Sequence, residues 1–130
     1  MAAQDAAATV RELYSQARKG NHREVAALLS PDVEWYPVAG HKRLKPAHNN
    51  QETTQALLWR GKANSLRASE VIPVGDHVFV KLGGRRLGLL GGSGWRAQLY
   101  QVVTLRGGLI VRMQDYASRA EALATVGLQS

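Results

Sequence analysis

WRAQLYQVVTLRGGLIVRMQDY, residues 95–116, reads as two strands folded back on one turn. Gly107-Gly108 is a two-residue hairpin signal between runs rich in Val, Leu, Ile and Tyr. Side chains along a strand alternate between faces, so the position of the turn predicts the pairing. With Arg106-Gly107-Gly108 closing the hairpin, Val103 faces Val111, Gln101 faces Met113 and Leu99 faces Asp115. These six share one face. Tyr100, Val102, Thr104, Arg112 and Gln114 share the other. The first set is mostly apolar with two polar members, the composition of a ligand-pocket wall. The second is amphipathic and suits a dimer surface.

The neighbouring segments extend the same pattern. LRASEVIPV (66–74) and HVFVKLGGRRLGLL (77–90) flank the tight-turn pair Gly75-Asp76, and GGSG (91–94) makes the next turn. After the hairpin, Ser118 with Glu121 three residues on is a capping box for a short last helix, which Gly127 ends. The first half has helical period instead. Residues 5–19 place Ala6, Val10, Leu13, Tyr14 and Ala17 on one face, and Gly20 stops that helix. Asn21 with Glu24 starts a second helix with Val25, Leu28 and Leu29 as its stripe. Asp32 to Val38 reads as a strand with Val33, Trp35 and Pro37 on one face. The polar, basic stretch 39–49, broken by Pro46, reads as a loop. Asn49 with Glu52 caps a third helix over 50–60, with Ala56, Leu57 and Trp59 as its face. Helices come first and an antiparallel meander follows, which is the α+β class. With no repeat and no Pro/Gly/Ser linker, residues 1–130 read as one domain.

Composition narrows the chemistry. The chain has no cysteine, which excludes disulfides, thiolate metal sites and Cys nucleophiles. The histidines are His22, His41, His48 and His77, and none has a second ligand at i+2 or i+4. No metal and no cofactor is therefore expected. The Ala-rich start is interrupted by Asp5 and Arg11, so it reads as a helix rather than a signal peptide. No apolar run approaches the roughly 18 residues of a membrane span, and a cytoplasmic protein with no membrane partner is expected. The net charge of +7 is spread along the chain. HKRLK (41–45) and GGRR (83–86) are its densest groups, and neither has interleaved aromatics. Nucleic acid is not an expected partner; an acidic partner or anionic ligand stays open.

Two blocks carry a family resemblance. LYSQARKGNHREVAALLSPDVEW (13–35) resembles the opening of SnoaL-like proteins, with its helix, Gly-Asn break, second helix and P-D-V-x-W ending. GGLIVRMQDYASRAEALATVGL (107–128) resembles their closing hairpin and short helix. These proteins belong to the nuclear-transport-factor-2-like (NTF2-like), ketosteroid isomerase-like superfamily. The resemblance implies a cone-shaped roll, a curved antiparallel sheet with helices around one pocket, and a homodimer formed through the sheet's outer face. It implies no single reaction, because isomerases, polyketide cyclases, dehydratases, epoxide hydrolases and non-catalytic binders share the fold.

The leading expectation is proton transfer on a small hydrophobic carbonyl compound, of the isomerase, cyclase or dehydratase kind. Asp115 stands at the end of an apolar face, where burial raises a carboxyl pKa and makes it a proton carrier. Tyr14 is the candidate donor to the carbonyl oxygen, and His41 in the loop is a second candidate proton carrier. Trp35, Leu99, Gln101, Val103, Val111 and Met113 are the candidate ligand-binding residues. The alternatives are a non-catalytic small-molecule-binding module and a dimeric interaction module. The binding module expects a wholly apolar cavity or an Asp115 tied to an arginine. The interaction module expects a filled cavity and a basic patch such as 41–45 with 83–86 on one surface, facing an acidic partner. In the plain structural reading Asp115 caps the last helix or pairs with an arginine, Tyr14 belongs to the core and His41 to an exposed loop. The epoxide-hydrolase arrangement, an arginine between two carboxylates, is disfavoured because Arg112 faces outward and no second Asp is evident in the sheet.

Overall fold

The computed structural model describes residues 3–41, 43–84, 87 and 98–128. The GGSG turn, Trp95, Lys42 and the arginines of the GGRR group lie outside them. Helix α1 (Ala3–Lys19) is followed by α2 (His22–Ala27), β1 (Leu29–Tyr36), α3 (Asn50–Asn64), β2 (Arg67–Val74), β3 (His77–Gly83), β4 (Leu99–Arg106), β5 (Leu109–Tyr116) and α4 (Arg119–Thr125). This is the order read from the sequence. The strands form one curved sheet in the order β1-β5-β4-β3-β2.

Local chemistry sets most boundaries. Gly20 takes φ +76 at the break between α1 and α2, a conformation open to glycine at little cost. Asn21 does not cap α2 with its side chain, which instead donates to Gln16. Asn49 caps α3 by accepting from the Glu52 N–H at 2.8 Å, and Ser118 caps α4 by accepting from that of Glu121. Helix α3 runs one turn beyond the expected Arg60. The reason is burial: Arg60, Gly61 and Asn64 face the interior, whereas Trp59, expected on the apolar face, is 50% exposed.

Four strands form the antiparallel meander, but β1 joins it in parallel, beside β5. It is an edge strand, which is why Pro31 is tolerated within it. Its free side is partly covered by the loop: Trp35 and Ala47 exchange backbone hydrogen bonds of 2.9 Å in each direction.

The last hairpin departs from the expected register. Gly107 and Gly108 both have positive φ and Arg106 pairs with Leu109, but the ladder then slips. Leu105 pairs with Ile110 and Thr104 with Arg112, so Val111 is an extra residue in a β-bulge. Beyond the bulge Val103 faces Met113 and Gln101 faces Asp115. The alternation of odd-numbered residues survives with one exception: Ile110, not Val111, is buried in the core.

Two apolar clusters result. The larger lies between the sheet's inner face and helices α1–α3, with Val80, Leu82, Leu99, Val103, Ile110 and Met113 meeting Val10, Leu13, Tyr14 and Leu57. Each such aliphatic side chain contributes about 1.5–3 kcal/mol by leaving water. The smaller lies on the outer face, where Ala122 and Leu123 of α4 cover Phe79, Tyr100 and Val102. Tyr100 and Val102, expected on an open dimer surface, are thus buried by their own chain. Helices α1 and α3 meet at Gly61, where an added Cβ would stand 2.7 Å from the Ala17 carbonyl carbon.

Candidate functional site

Five side chains from five elements make a polar line through the inner cluster. The Tyr14 hydroxyl on α1 donates to Gln101 Oε1 on β4. Gln101 Nε2 donates to Asp115 Oδ1 on β5 at 2.8 Å. Arg60 Nη2 on α3 donates to Asp115 Oδ2 at 2.7 Å. The Arg60 guanidinium lies 4.8 Å from the centre of the Trp35 ring on β1. Every member is at least 96% buried.

The backbone positions each of them. Adjacent strands place Gln101 directly opposite Asp115. Trp35 is held on both sides, by Met113 in β5 and by the bridge to Ala47. Gly61 lets α3 approach α1, which sets Arg60 one residue away over the sheet. The amide of Gln101 must offer its N–H to the ionised carboxylate, which only accepts, so its oxygen is left for the tyrosine.

Electrostatics make this a closed arrangement. Burial pushes the Tyr14 phenol far above its ordinary value, with Asp115 adding to the effect and Arg60 and the Gln101 bond opposing it. Tyr14 therefore stays a neutral donor, and its proton is committed to Gln101. Each Asp115 oxygen has a donor, one of them charged. Taking a proton from a ligand would neutralise the carboxylate and leave Arg60 buried without its counter-charge, and breaking a buried pair costs about 3–5 kcal/mol. Asp115 does not cap α4; Ser118 does.

Of the residues singled out from sequence, Asp115, Tyr14, Gln101 and Trp35 are brought together. Leu99, Val103 and Met113 sit beside them on the inner face, all fully buried. Val111 is not on that face, for the bulge turns it toward an outer groove with Arg112 and Thr104. His41 lies in another groove, of about 350 Å³, with Tyr36, Pro37, Leu44 and Gln114. Its Nδ1 accepts the backbone N–H groups of Arg43 and Leu44, and no hydrogen bond joins it to the Asp115 line. A cleft of about 440 Å³ at the hairpin-turn end, lined by Asp5, Asp76 and Arg106 among others, includes none of the candidate residues.

Sequence reading missed Arg60, Thr53 and Asn64, all buried on α3. Gly61 carried a signal. A glycine inside a helix marks close approach by another element, and Thr53, Leu57 and Asn64 follow from it at helical spacing. Among the described residues no group of three or more His, Asp or Glu side chains is placed to hold a metal. No helix among them is long and apolar enough to cross a membrane.

The sequence matches no protein-family model and no curated protein. Solved structures match it throughout. An NTF2-like protein of unknown function from Cytophaga hutchinsonii aligns over 89% of both chains, with 10% identity and a TM-score of 0.63. A hypothetical protein with a ketosteroid isomerase-like fold from Catenulispora acidiphila, solved with trimethylamine, aligns over 92% of both chains, with 19% identity and a TM-score of 0.60. A candidate polyketide cyclase from Sinorhizobium meliloti covers 88% of this chain and 99% of its own, with 18% identity and a TM-score of 0.61. At these identities the likeness is one of fold.

Proposed function

We propose, for a chain with the NTF2-like fold whose central carboxylate is already tied to an arginine, a non-catalytic small-molecule-binding role. The observation that carries this reading is the Arg60–Asp115 pair at 2.7 Å in a fully buried setting. A general base needs a free lone pair within reach of the proton it takes. Here one lone pair of each Asp115 oxygen is taken, by Arg60 and by Gln101, and Tyr14 is spent on Gln101. Taking up a proton would leave Arg60 without its counter-charge. The pair then acts as a fixed, neutral, polar floor within an apolar interior, which suits a small hydrophobic ligand. One fold neighbour was solved with a small molecule bound, and the fold is shared by a candidate cyclase. Leu99, Val103 and Met113 on the inner face are fully buried, so a ligand reaches them by displacing side chains. Met113, unbranched and with three rotatable bonds, yields most easily.

The test separates binding from proton transfer. The protein is incubated with cyclohexanone in D2O, and the α-hydrogens are followed by NMR. The binding reading expects exchange at the buffer rate in the wild type. Faster exchange that disappears in Asp115→Asn would restore the catalytic role of Asp115 and overturn the proposal.

A further inference from the structure

The interior holds hydrogen-bonding groups that the protein does not satisfy. Arg60 Nε and Nη1, Trp35 Nε1, Thr53 Oγ1 and Asn64 Nδ2 are buried and have no partner among the described residues. Buried polar groups are nearly always paired, so each asks for a reason. Five such atoms on four side chains, in a core otherwise well matched, is a pattern rather than an accident.

Their placement is regular. Thr53, Arg60 and Asn64 lie on one face of α3, since offsets of four and seven residues return within about 40° of the same direction. At 1.5 Å per residue, Asn64 stands about 6 Å along the axis from Arg60, and Thr53 about 10 Å the other way. Trp35 lies against Arg60, its ring centre 4.8 Å from the guanidinium, and adds its unpaired indole N–H to the set. The ring face attracts the guanidinium charge but does not accept the Nε–H in its plane.

Chemistry then defines the complement. Four of the five atoms only donate, and the threonine hydroxyl can donate. What fits is a molecule that accepts. Its charge follows from Asp115, which already neutralises Arg60. A bound carboxylate or phosphate would leave an uncompensated negative charge in a dry interior. An amine would bring donors to a row of donors. We infer that the inner face reads uncharged molecules through oxygen acceptors, with Arg60, Trp35 and Asn64 as the specificity-determining residues and a second acceptor engaging a second rung of the row. This rests on the binding role proposed above.

The experiment uses the full chain and five probes of similar size: methylcyclohexane, cyclohexanone, cyclohexane-1,4-dione, cyclohexanecarboxylate and cyclohexylamine. Proton–nitrogen NMR follows the Trp35 Nε1–H and Arg60 Nε–H signals, with binding constants from their titration. The expected order is dione, then ketone, then hydrocarbon, with the dione about tenfold tighter than methylcyclohexane and both N–H signals moving downfield. The two ions leave the signals unmoved. Asn64→Leu should remove the advantage of the dione over the ketone and spare methylcyclohexane binding. Equal binding of dione and hydrocarbon would overturn the donor row while leaving interior binding intact. Tighter binding of the carboxylate would overturn the charge assignment. No movement of the interior signals with any probe would remove the binding role itself.

Discussion

Replacing Asp115 with alanine tests the ion pair most directly. The change removes the partner of a guanidinium that is 1% exposed. Two hydrogen bonds go with it, from Arg60 at 2.7 Å and from Gln101 at 2.8 Å. A bond to a charged group is worth about 1.5–3 kcal/mol and a neutral donor's about 0.5–1.5. Their sum, about 2–4.5 kcal/mol, agrees with the roughly 3–5 kcal/mol for breaking a buried pair. A domain has about 5–15 kcal/mol of stability in all, so Asp115→Ala removes roughly a fifth to a half of a mid-range value. With a urea slope of about 2 kcal/mol/M, the midpoint falls by about 1–2.5 M. Arg60→Met, which strands the carboxylate, has a similar cost. The double variant Arg60→Met with Asp115→Leu replaces the pair with apolar groups and should lie within about 2 kcal/mol of wild type. Urea unfolding followed by circular dichroism closes the cycle. The reasoning fails if Asp115→Ala costs less than about 1 kcal/mol, or if the double variant loses the sum of the two singles.

Three further outcomes follow from the packing. Ile110→Ala should cost about 2–5 kcal/mol and Val111→Ala less than about 1, by chemical denaturation, because the bulge puts the first in the core and the second outside; the reverse order would restore the unbulged register. Gly61→Ala forces α1 and α3 apart by placing a methyl 2.7 Å from the Ala17 backbone, and should lower stability by at least about 1–3 kcal/mol in the same assay. Glu70 holds Arg119 of α4 in a two-pronged bond of 2.9 Å, which keeps its carboxyl below the ordinary value. A depressed folded-state pKa stabilises at neutral pH, and that contribution is lost as pH falls through the folded value. Both side chains are partly exposed, so Glu70→Gln should cost at most about 1 kcal/mol at pH 7, and the melting temperatures of the two proteins should converge on acidification through the carboxylate range.

What could be read from sequence was whatever local chemistry decides. The caps at Asn49 and Ser118, the turns at Gly75-Asp76 and Gly107-Gly108, and the order of elements all rest on residues close in the chain. So does the sharing of a face by Leu99, Gln101, Val103, Met113 and Asp115. The bulge at Val111 was hidden because a slipped ladder changes no residue type; only the burial of Ile110 betrays it. Arg60 was hidden for a different reason. A cation in a helix is ordinarily solvated, and its burial depends on a carboxylate 55 residues away and a tryptophan on another strand. A longer separation in sequence concealed the parallel pairing of β1 with β5, since nothing local distinguishes the direction from which an edge strand will be joined.

That pairing bears on how the chain comes to be folded during its manufacture. Leu29 is matched to Ile110 and Tyr36 to Gln114, so β1 waits for β5. On a ribosome adding about 5–20 residues per second, some eighty residues separate the two partners, a delay of several seconds. Through that interval α1 and α2 have emerged, but the edge that β1 will occupy does not exist. Contacts so remote in sequence also slow the search once the chain is free, because loop closure precedes the reward. The nascent chain therefore carries β1 without its partner strand until β5 has been made, which makes this strand a point at which a chaperone, or another unfinished copy, has a long opportunity to bind.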